Sequence, residues 1–392
     1  MNLSLEKEIA LIAADGGADL IGFTTVEILS DGPPSADPRY LLPEARSVVS
    51  FAVALDPEAI ESFITKKTWK PHCENRKAVD QRVYRVGDAI ADYLQSLGHA
   101  AVNVEVNNNY RPEEGADDVT EMTEFHPEFS LRYAALASGL GRLGWSGNLL
   151  TKQHGALVEL GSVITSARLS PTPPIPDSEH PCDRCKMCSL VCPVSMIDSK
   201  ESTTVTVAGI TETISRKRPN TCCWIGCTGY EGLAVSGEWS NWSPYRLGAA
   251  LPESKEELDA LCVELQKKDP QMHGTSNAFA DFRGSVFDPD WFYYTVCGFC
   301  RGVCWPRRSD RLENRKKIHE SGKAALKLDG EHVVAGDDAT ELQTPFGLGV
   351  VVPKDELSGF PSEVPEWQGQ FPLDREVIKY IAGGRIREKS SD

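Results

Sequence analysis

Much of what this 392-residue chain could be is closed by what it lacks. It has no run of 18 apolar residues, so no membrane-spanning helix is expected. Its N-terminus, MNLSLEKEIALIAADGG, has no basic segment ahead of an apolar one and no twin-arginine pair. It does not read as an export signal, and a cytoplasmic location is expected. A basic excess is also missing: 57 acidic residues against 41 Lys and Arg leave a net charge of −16. A protein that grips tRNA or duplex normally presents a basic face, so a nucleic-acid partner is disfavoured. His72, His99, His154 and His273 carry no ligand spacing with one another and read as surface or core residues. The rest of the composition, 41% hydrophobic and 25% charged, is that of an ordinary globular chain of one large or two average domains.

The cysteines are not ordinary. CDRCKMCSLVCP places Cys182, Cys185, Cys188 and Cys192 at C-x2-C-x2-C-x3-C-P spacing. A short loop and one helical turn at this spacing present thiolates to a 4Fe–4S cube, with the fourth cysteine turned toward a second cube. A partner motif exists: Cys297, Cys300 and Cys304 read C-x2-C-x3-C, followed by Trp305 and Pro306. In the exchange expected of two-cluster ferredoxins, Cys182, Cys185, Cys188 and Cys304 hold one cube. Cys192, Cys297 and Cys300 hold the other, which is one ligand short. Cys222, Cys223 and Cys227 lie between the motifs and can complete it. Zinc would use two C-x2-C pairs and give the x3-C-Pro tail no role. Disulfides would need an oxidising compartment. Two 4Fe–4S clusters are the better reading. Cys73 and Cys262 stand alone and read as buried thiols.

Along the chain, residues 4–16 have a helical apolar period. Residues 20–29 and 47–55 read as strands, 76–97 as a long helix stopped by Gly98, and 99–107 as another strand. The polar stretch 107–128 reads as a loop and 130–140 as a helix. Gly139, Gly141, Gly144 and Gly147 follow. They match part of a dinucleotide fingerprint, but a helix precedes them and an apolar run follows, the reverse of what that fingerprint needs. Glycines here let the backbone approach a large flat ligand or a neighbouring strand. A proline-rich link (170–181) leads into the first cysteine motif, and residues 193–296 separate the two motifs. That insertion is rich in aromatics: Trp224, Tyr230, Trp239, Trp242, Tyr245, Trp291, Tyr293 and Tyr294. They read either as packing or as the wall of a pocket. The basic run Arg307, Arg308, Arg311, Arg315, Lys316 and Lys317 reads as a solvated helix face. It is also a landing site for an acidic electron donor.

SLRYAALASGLGRLGWSGNLLTKQHGALVELGSVITSARL followed by HPCDRCKMCSLVCPVSMI resembles the cobalamin-dependent reductases, the group of epoxyqueuosine reductase and the reductive dehalogenases. The architecture is similar over about residues 10–310 and specific motifs over 130–195 and 295–306. The resemblance implies an α+β fold: a nitroreductase-like cobalamin and substrate domain (1–170), a ferredoxin-like two-cluster domain (171–320, with the insertion) and a C-terminal extension (321–392). It implies base-off cobalamin, fed electrons singly by the clusters. Gly139, Gly141, Gly144, Ser146, Gly147, Asn148 and Leu149 would contact it. Cys223, followed by Trp224, best matches the isolated cysteine that completes the second cluster, with Cys222 next. Glu124 aligns with the family's acid, and His126, Glu128, Tyr110 and Tyr133 are further proton-donor candidates.

The chain also departs from the family. Gly144-Trp145 leads to Ser146-Gly147-Asn148 where tRNA-reducing members have a lysine, and Glu159 stands where dehalogenases carry a basic residue. The expected function is reduction of a small organic substrate, dehalogenase-like, with electrons from an external ferredoxin- or flavodoxin-type donor and no membrane partner. The alternatives are epoxyqueuosine reduction in tRNA and a ferredoxin-type electron carrier without cobalamin.

Overall fold

The computed structural model describes residues 3–104, 110–112, 125–243, 245–247, 250–273, 296–326, 333–336, 339–343 and 348–353. The N-terminal part is a mixed helix and sheet layer. Helix α1 (Leu5–Asp15) turns Ile9 and Ala13 inward. β1 (Leu20–Thr25) ends sooner than the sequence pattern suggests, because the Thr25 hydroxyl accepts the Ile28 amide and starts a helical turn, α2 (Val26–Leu29). β2 (Ser47–Ala54) follows as a buried apolar run. After α3 (Pro57–Ile64) comes α4 (Lys70–Ser96), which starts earlier than its apolar stripe and stops before Gly98 at φ +84°. β3 (Ala101–Asn103), β4 (Tyr110–Pro112), β5 (Phe125–Pro127) and α5 (Leu131–Ala137) lead to the hairpin of β6 (Arg142–Leu143) and β7 (Leu149–Leu150), then to β8 (Val158–Thr165). The main sheet has the order β1-β2-β8-β3, with every neighbouring pair antiparallel. Antiparallel pairing makes this layer α+β.

Small residues let the helices close on this sheet. A Cβ on Gly161 would lie 2.3 Å from Phe51 and 2.9 Å from Val83 of α4. On the opposite face a Cβ on Gly22 would lie 2.0 Å from the Ser138 carbonyl, just past α5. Ser138, Ser50 and Ser162 hydroxyls meet there at 3.2 and 3.3 Å, fully buried, so their polarity is spent on one another.

After the proline link come α6 (Met187–Leu190) and a hairpin, β9 (Ile197–Val207) with β10 (Ile210–Lys217). Ala208 and Gly209 turn it with positive φ, and the Asp31 carboxylate accepts both their amides at 2.7 Å, pinning the tip to the N-terminal layer. α7 (Asn220–Cys227) and α8 (Lys255–His273) carry a small second core of Val194, Met196, Cys222, Ile225, Tyr230, Leu258, Cys262, Val263 and Leu265. The main apolar core runs without a break from Ile9 to Ile318, joining the sheet to both cysteine motifs. No helix among the described residues is long and apolar enough to cross a membrane.

Two thiol sites and a cavity

Arg184 and Lys186 adopt left-handed φ of 54° and 60°, which coils the first loop tightly. Cys182, Cys185, Cys188 and Cys304 line one small recess with Gly144, Trp145, Ser146 and Arg311. Asp183 fixes the loop by accepting the Cys185 amide at 3.1 Å and by pairing with Arg308 (3.0 Å) and Arg311 (3.4 Å). Arg311 is 4% exposed, so this member of the basic run is a buried strut rather than part of a solvated face. Burial pushes the Cys188 thiol up to about 12 and raises Cys185 and Cys304 as well. Such thiols keep their protons until a cation takes their place.

A larger cavity of about 540 Å³, within the usual range for small-molecule sites, adjoins this recess. Ser146 borders both spaces, so the two thiol sets stand back to back. Cys192, Cys223, Cys227, Cys297 and Cys300 line one wall. Cys223 and Cys227 are one turn apart on α7, with sulfurs 3.7 Å apart. Cys227 also shares its proton with Cys297. That sharing lowers Cys223 and raises Cys227 well above the usual thiol value. Cys297 is drawn down to about 7, chiefly by the Cys227 contact and then, against burial, by the amides of Phe299 and Gly298. Gly298, at φ +93°, turns those amides toward the sulfur. Burial raises Cys300 to about 11 and Cys192 well above the usual value.

Cys222 faces the other way. Its thiol donates to the Val194 carbonyl at 3.2 Å inside the second core, and it lines neither space. Helical geometry is the reason: positions 222 and 223 differ by about 100° around the axis. Cys73 and Cys262 are buried. None of the twelve cysteines forms a disulfide. Among the described residues no group of three or more His, Cys, Asp and Glu side chains is gathered as a single metal ion would need.

The glycine-rich stretch divides its work. Gly147, Ser146 and Asn148 line the cavity, and Asn148 Nδ2 lies 3.9 Å from Cys300 Sγ. Gly139 and Gly141 line neither space: a Cβ at either would meet the Pro173 carbonyl at 2.5 Å or the Leu150 carbonyl at 2.3 Å. Their need for glycine comes from neighbouring backbone, not from a ligand. Gly144 borders the first recess and Leu149 is buried in β7. Arg142, in the same stretch, is 2% exposed. It donates to Glu212 at 2.6 Å, Asp177 at 2.9 Å and the Ile175 carbonyl at 2.8 Å, fastening the hairpin and the proline link together. Nothing in the local sequence marks Arg142 for that role, because its partners lie more than thirty residues away.

Of the proton-donor candidates, Tyr133 lines the cavity, and burial raises its phenol above the usual value. Tyr110 and His126 stand on the paired strands β4 and β5, Tyr110 opposite Pro127 and His126 opposite Arg111. Glu124 lies outside the described residues, as do Trp291, Tyr293 and Tyr294. Trp224 lines the cavity, whereas Trp239 and Trp242 pack against Phe299 and Phe63 in the core. Sequence reasoning passed over two cations at the cavity, Arg132 and Lys217.

No protein-family model matches the chain, and no curated protein does. The structure neighbours are epoxyqueuosine reductases and reductive dehalogenases. An epoxyqueuosine reductase solved with a tRNA stem loop is 22% identical over 49% of this chain and 52% of its own, at a TM-score of 0.32. The chain thus spans about half the length of that enzyme. The Bacillus subtilis epoxyqueuosine reductase is 17% identical over 80% of this chain and 98% of its own, at 0.37. A catabolic reductive dehalogenase is 17% identical over 84% of this chain and 39% of its own, at 0.43. Overlaps this partial establish no activity.

Proposed function

We propose that the chain is a reductase that uses two 4Fe–4S clusters and cobalamin to reduce a small organic substrate. The observation that carries the reading is the back-to-back placement of the thiol sets, with a cavity beginning at the second one. The donor chemistry fits. Cys182, Cys185, Cys188 and Cys304 supply four thiols to one cube. Cys192, Cys223, Cys297 and Cys300 supply four to the other. Cys223 is the better fourth ligand, because Cys192, Cys297 and Cys300 all feel its charge. The cavity, at about 540 Å³, would border only part of a cobalamin; its lining suits a polar ring edge, with thiols forming one wall and Ser130, Tyr133, Ser146 and Asn148 offering hydroxyl and amide partners.

When bound, the clusters carry single electrons and cobalamin carries the bond-breaking chemistry. The residues of this chain do the rest. Ser146, Gly147 and Asn148 bound the ring's space. Leu143, Ile197 and Ile214 give that space an apolar side that excludes water. Tyr133 keeps its proton at neutral pH and holds it at the phenolic oxygen on the cavity wall, available to a substrate that gains electrons.

Anaerobic loading of the full chain tests this. About eight irons, about eight sulfides and one cobalt per chain are expected. One zinc with no sulfide would overturn the reading, and eight irons with no corrinoid would leave an electron carrier instead.

A further inference from the structure

Five thiols line the cavity wall where a 4Fe–4S cube takes four. Cys192, Cys223, Cys297 and Cys300 form a closed group, each an electrostatic neighbour of the other three. Cys227 stands outside it. Its sulfur lies 3.7 Å from Cys223 Sγ and within hydrogen-bond reach of Cys297, and these two are its chief electrostatic neighbours. The other cysteines outside the two sets, Cys73, Cys222 and Cys262, line neither space. The Asn241 side-chain amide donates to the Gly226 carbonyl at 2.9 Å, which pins the end of α7 and so fixes the Cys227 sulfur. Positive charge is present on the same wall. The Lys217 nitrogen lies 2.7 Å from where a Cβ on Gly147 would sit, and Arg132 donates to the Gly147 carbonyl at 2.9 Å. Lys217 acts on Cys188 of the first set as well as on Cys223 and Cys300, so its charge does not separate the two sites. The contacts of Cys227 are with the second set alone.

We propose that Cys227 is an uncoordinated thiol that donates a hydrogen bond to the ligands of the second cluster and raises that cluster's reduction potential relative to the first. The proposal rests on the second thiol set holding a cluster, and it says which of the five sulfurs stays free and what that sulfur does. Ligation takes the protons from Cys223 and Cys297. The proton left among the three sulfurs is then that of Cys227, which makes it the donor and the two thiolates its acceptors. No carboxylate lines the cavity among the described residues to take that proton away. A donor of this kind favours the more negative, reduced form of a cluster. An electron would therefore come to rest beside the cavity rather than at the outer recess.

Anaerobic redox titration of the full chain loaded with iron and sulfide, followed by electron paramagnetic resonance, tests this. Iron is counted on every sample. The parent should show two one-electron steps, and Cys223→Ser, which keeps only the first cluster, marks which step belongs to the second. Cys227→Ala should hold about eight irons. At the potential that half-reduces the parent's second cluster, its ratio of reduced to oxidised cluster should fall about threefold to tenfold, tenfold being about 59 mV for one electron. The other step should stay in place. Cys227→Ser restores a donor and should return the ratio to within about twofold of the parent. Should Cys227→Ala not fold, Cys227→Val fills the space without a donor and takes its place. Loss of about four irons from Cys227→Ala would make Cys227 a ligand and overturn the proposal. So would eight irons with neither step moved, or with both moved alike. A parent that takes up four irons or fewer sinks the two-cluster reading and this proposal with it. A parent with eight irons whose variants titrate identically sinks this proposal alone.

Discussion

Single residues decide the second thiol site. Cys222, Cys223 and Cys227 all lie between the motifs, and the family resemblance puts Cys223 first and Cys222 next; in the structure Cys223 and Cys227 face the cavity and Cys222 does not. Cys223→Ser should therefore cut iron by about four atoms per chain, while Cys222→Ser and Cys227→Ser keep the full complement, as iron and sulfide assays would show. Equal losses in all three would refute the assignment. A second residue-scale prediction concerns Asp80, which is 1% exposed with neither carboxylate oxygen hydrogen-bonded. Burial, then Glu159, raises it to about 7, against the pull of Arg76 and Arg301. Its folded pKa is above its unfolded one, so the native state holds the extra proton. Stability should fall as pH rises from about 4 to about 7 and level off above. Asp80→Asn should accordingly raise the melting temperature more at pH 8 than at pH 4. A uniform shift would contradict the cause given.

At the scale of elements, the second cysteine motif is held to the sheet by charge. Glu159 on β8 accepts Arg301 at 2.6 Å and lies 3.4 Å from Arg76 of α4. Burial pushes its carboxyl up, yet the two arginines outweigh this and hold it below its ordinary value. Glu159→Gln removes the carboxylate that two half-buried arginines share, leaving Asp80 as a remaining anionic neighbour. Denaturant titration should show a loss of about 1.5–3 kcal/mol, and iron uptake at the second motif should drop with it. Backbone closeness sets another limit. Gly155 has φ +57°, and a Cβ there would fall 2.3 Å from the Cys304 carbonyl, the group that receives the Ala156 amide. Gly155→Ala should displace Cys304 and lower first-cluster iron, read by the same assay, while distant surface alanines do nothing.

For the whole molecule, the first recess joins residue 304 to residues 182–188 across the intervening insertion. Iron held there, as proposed, would staple the native chain and have no such site in the unfolded one. Loading should raise the melting temperature, and anaerobic chelation should lower it again. The global charge of −16 makes the tRNA alternative testable as well. Binding of a tRNA stem loop should already be weak at about 50 mM salt, whereas a tRNA enzyme would bind tightly there and lose affinity steeply as salt rises.

The primary sequence determined which cysteines share a space, since the loop spacing of 182–192 and 297–304 brings their thiols to two adjoining recesses. It also determined the long helix and the buried strands, because local apolar periods suffice for them. The hairpin of β9 and β10 lies within the insertion between the motifs, where Val–Thr alternation around Ala208-Gly209 carries its signal. Tertiary structure alone decided the rest. The rotation of one helix turned Cys222 into the second core while Cys223 and Cys227 face the cavity, and packing between remote segments made Gly139 and Gly141 structural. Closure of α5 against β10 brought Arg132 and Lys217 to one point. Such outcomes depend on which distant surfaces meet. Local composition carries no term for that, and the three-dimensional balance of burial, charge and backbone contact supplies it.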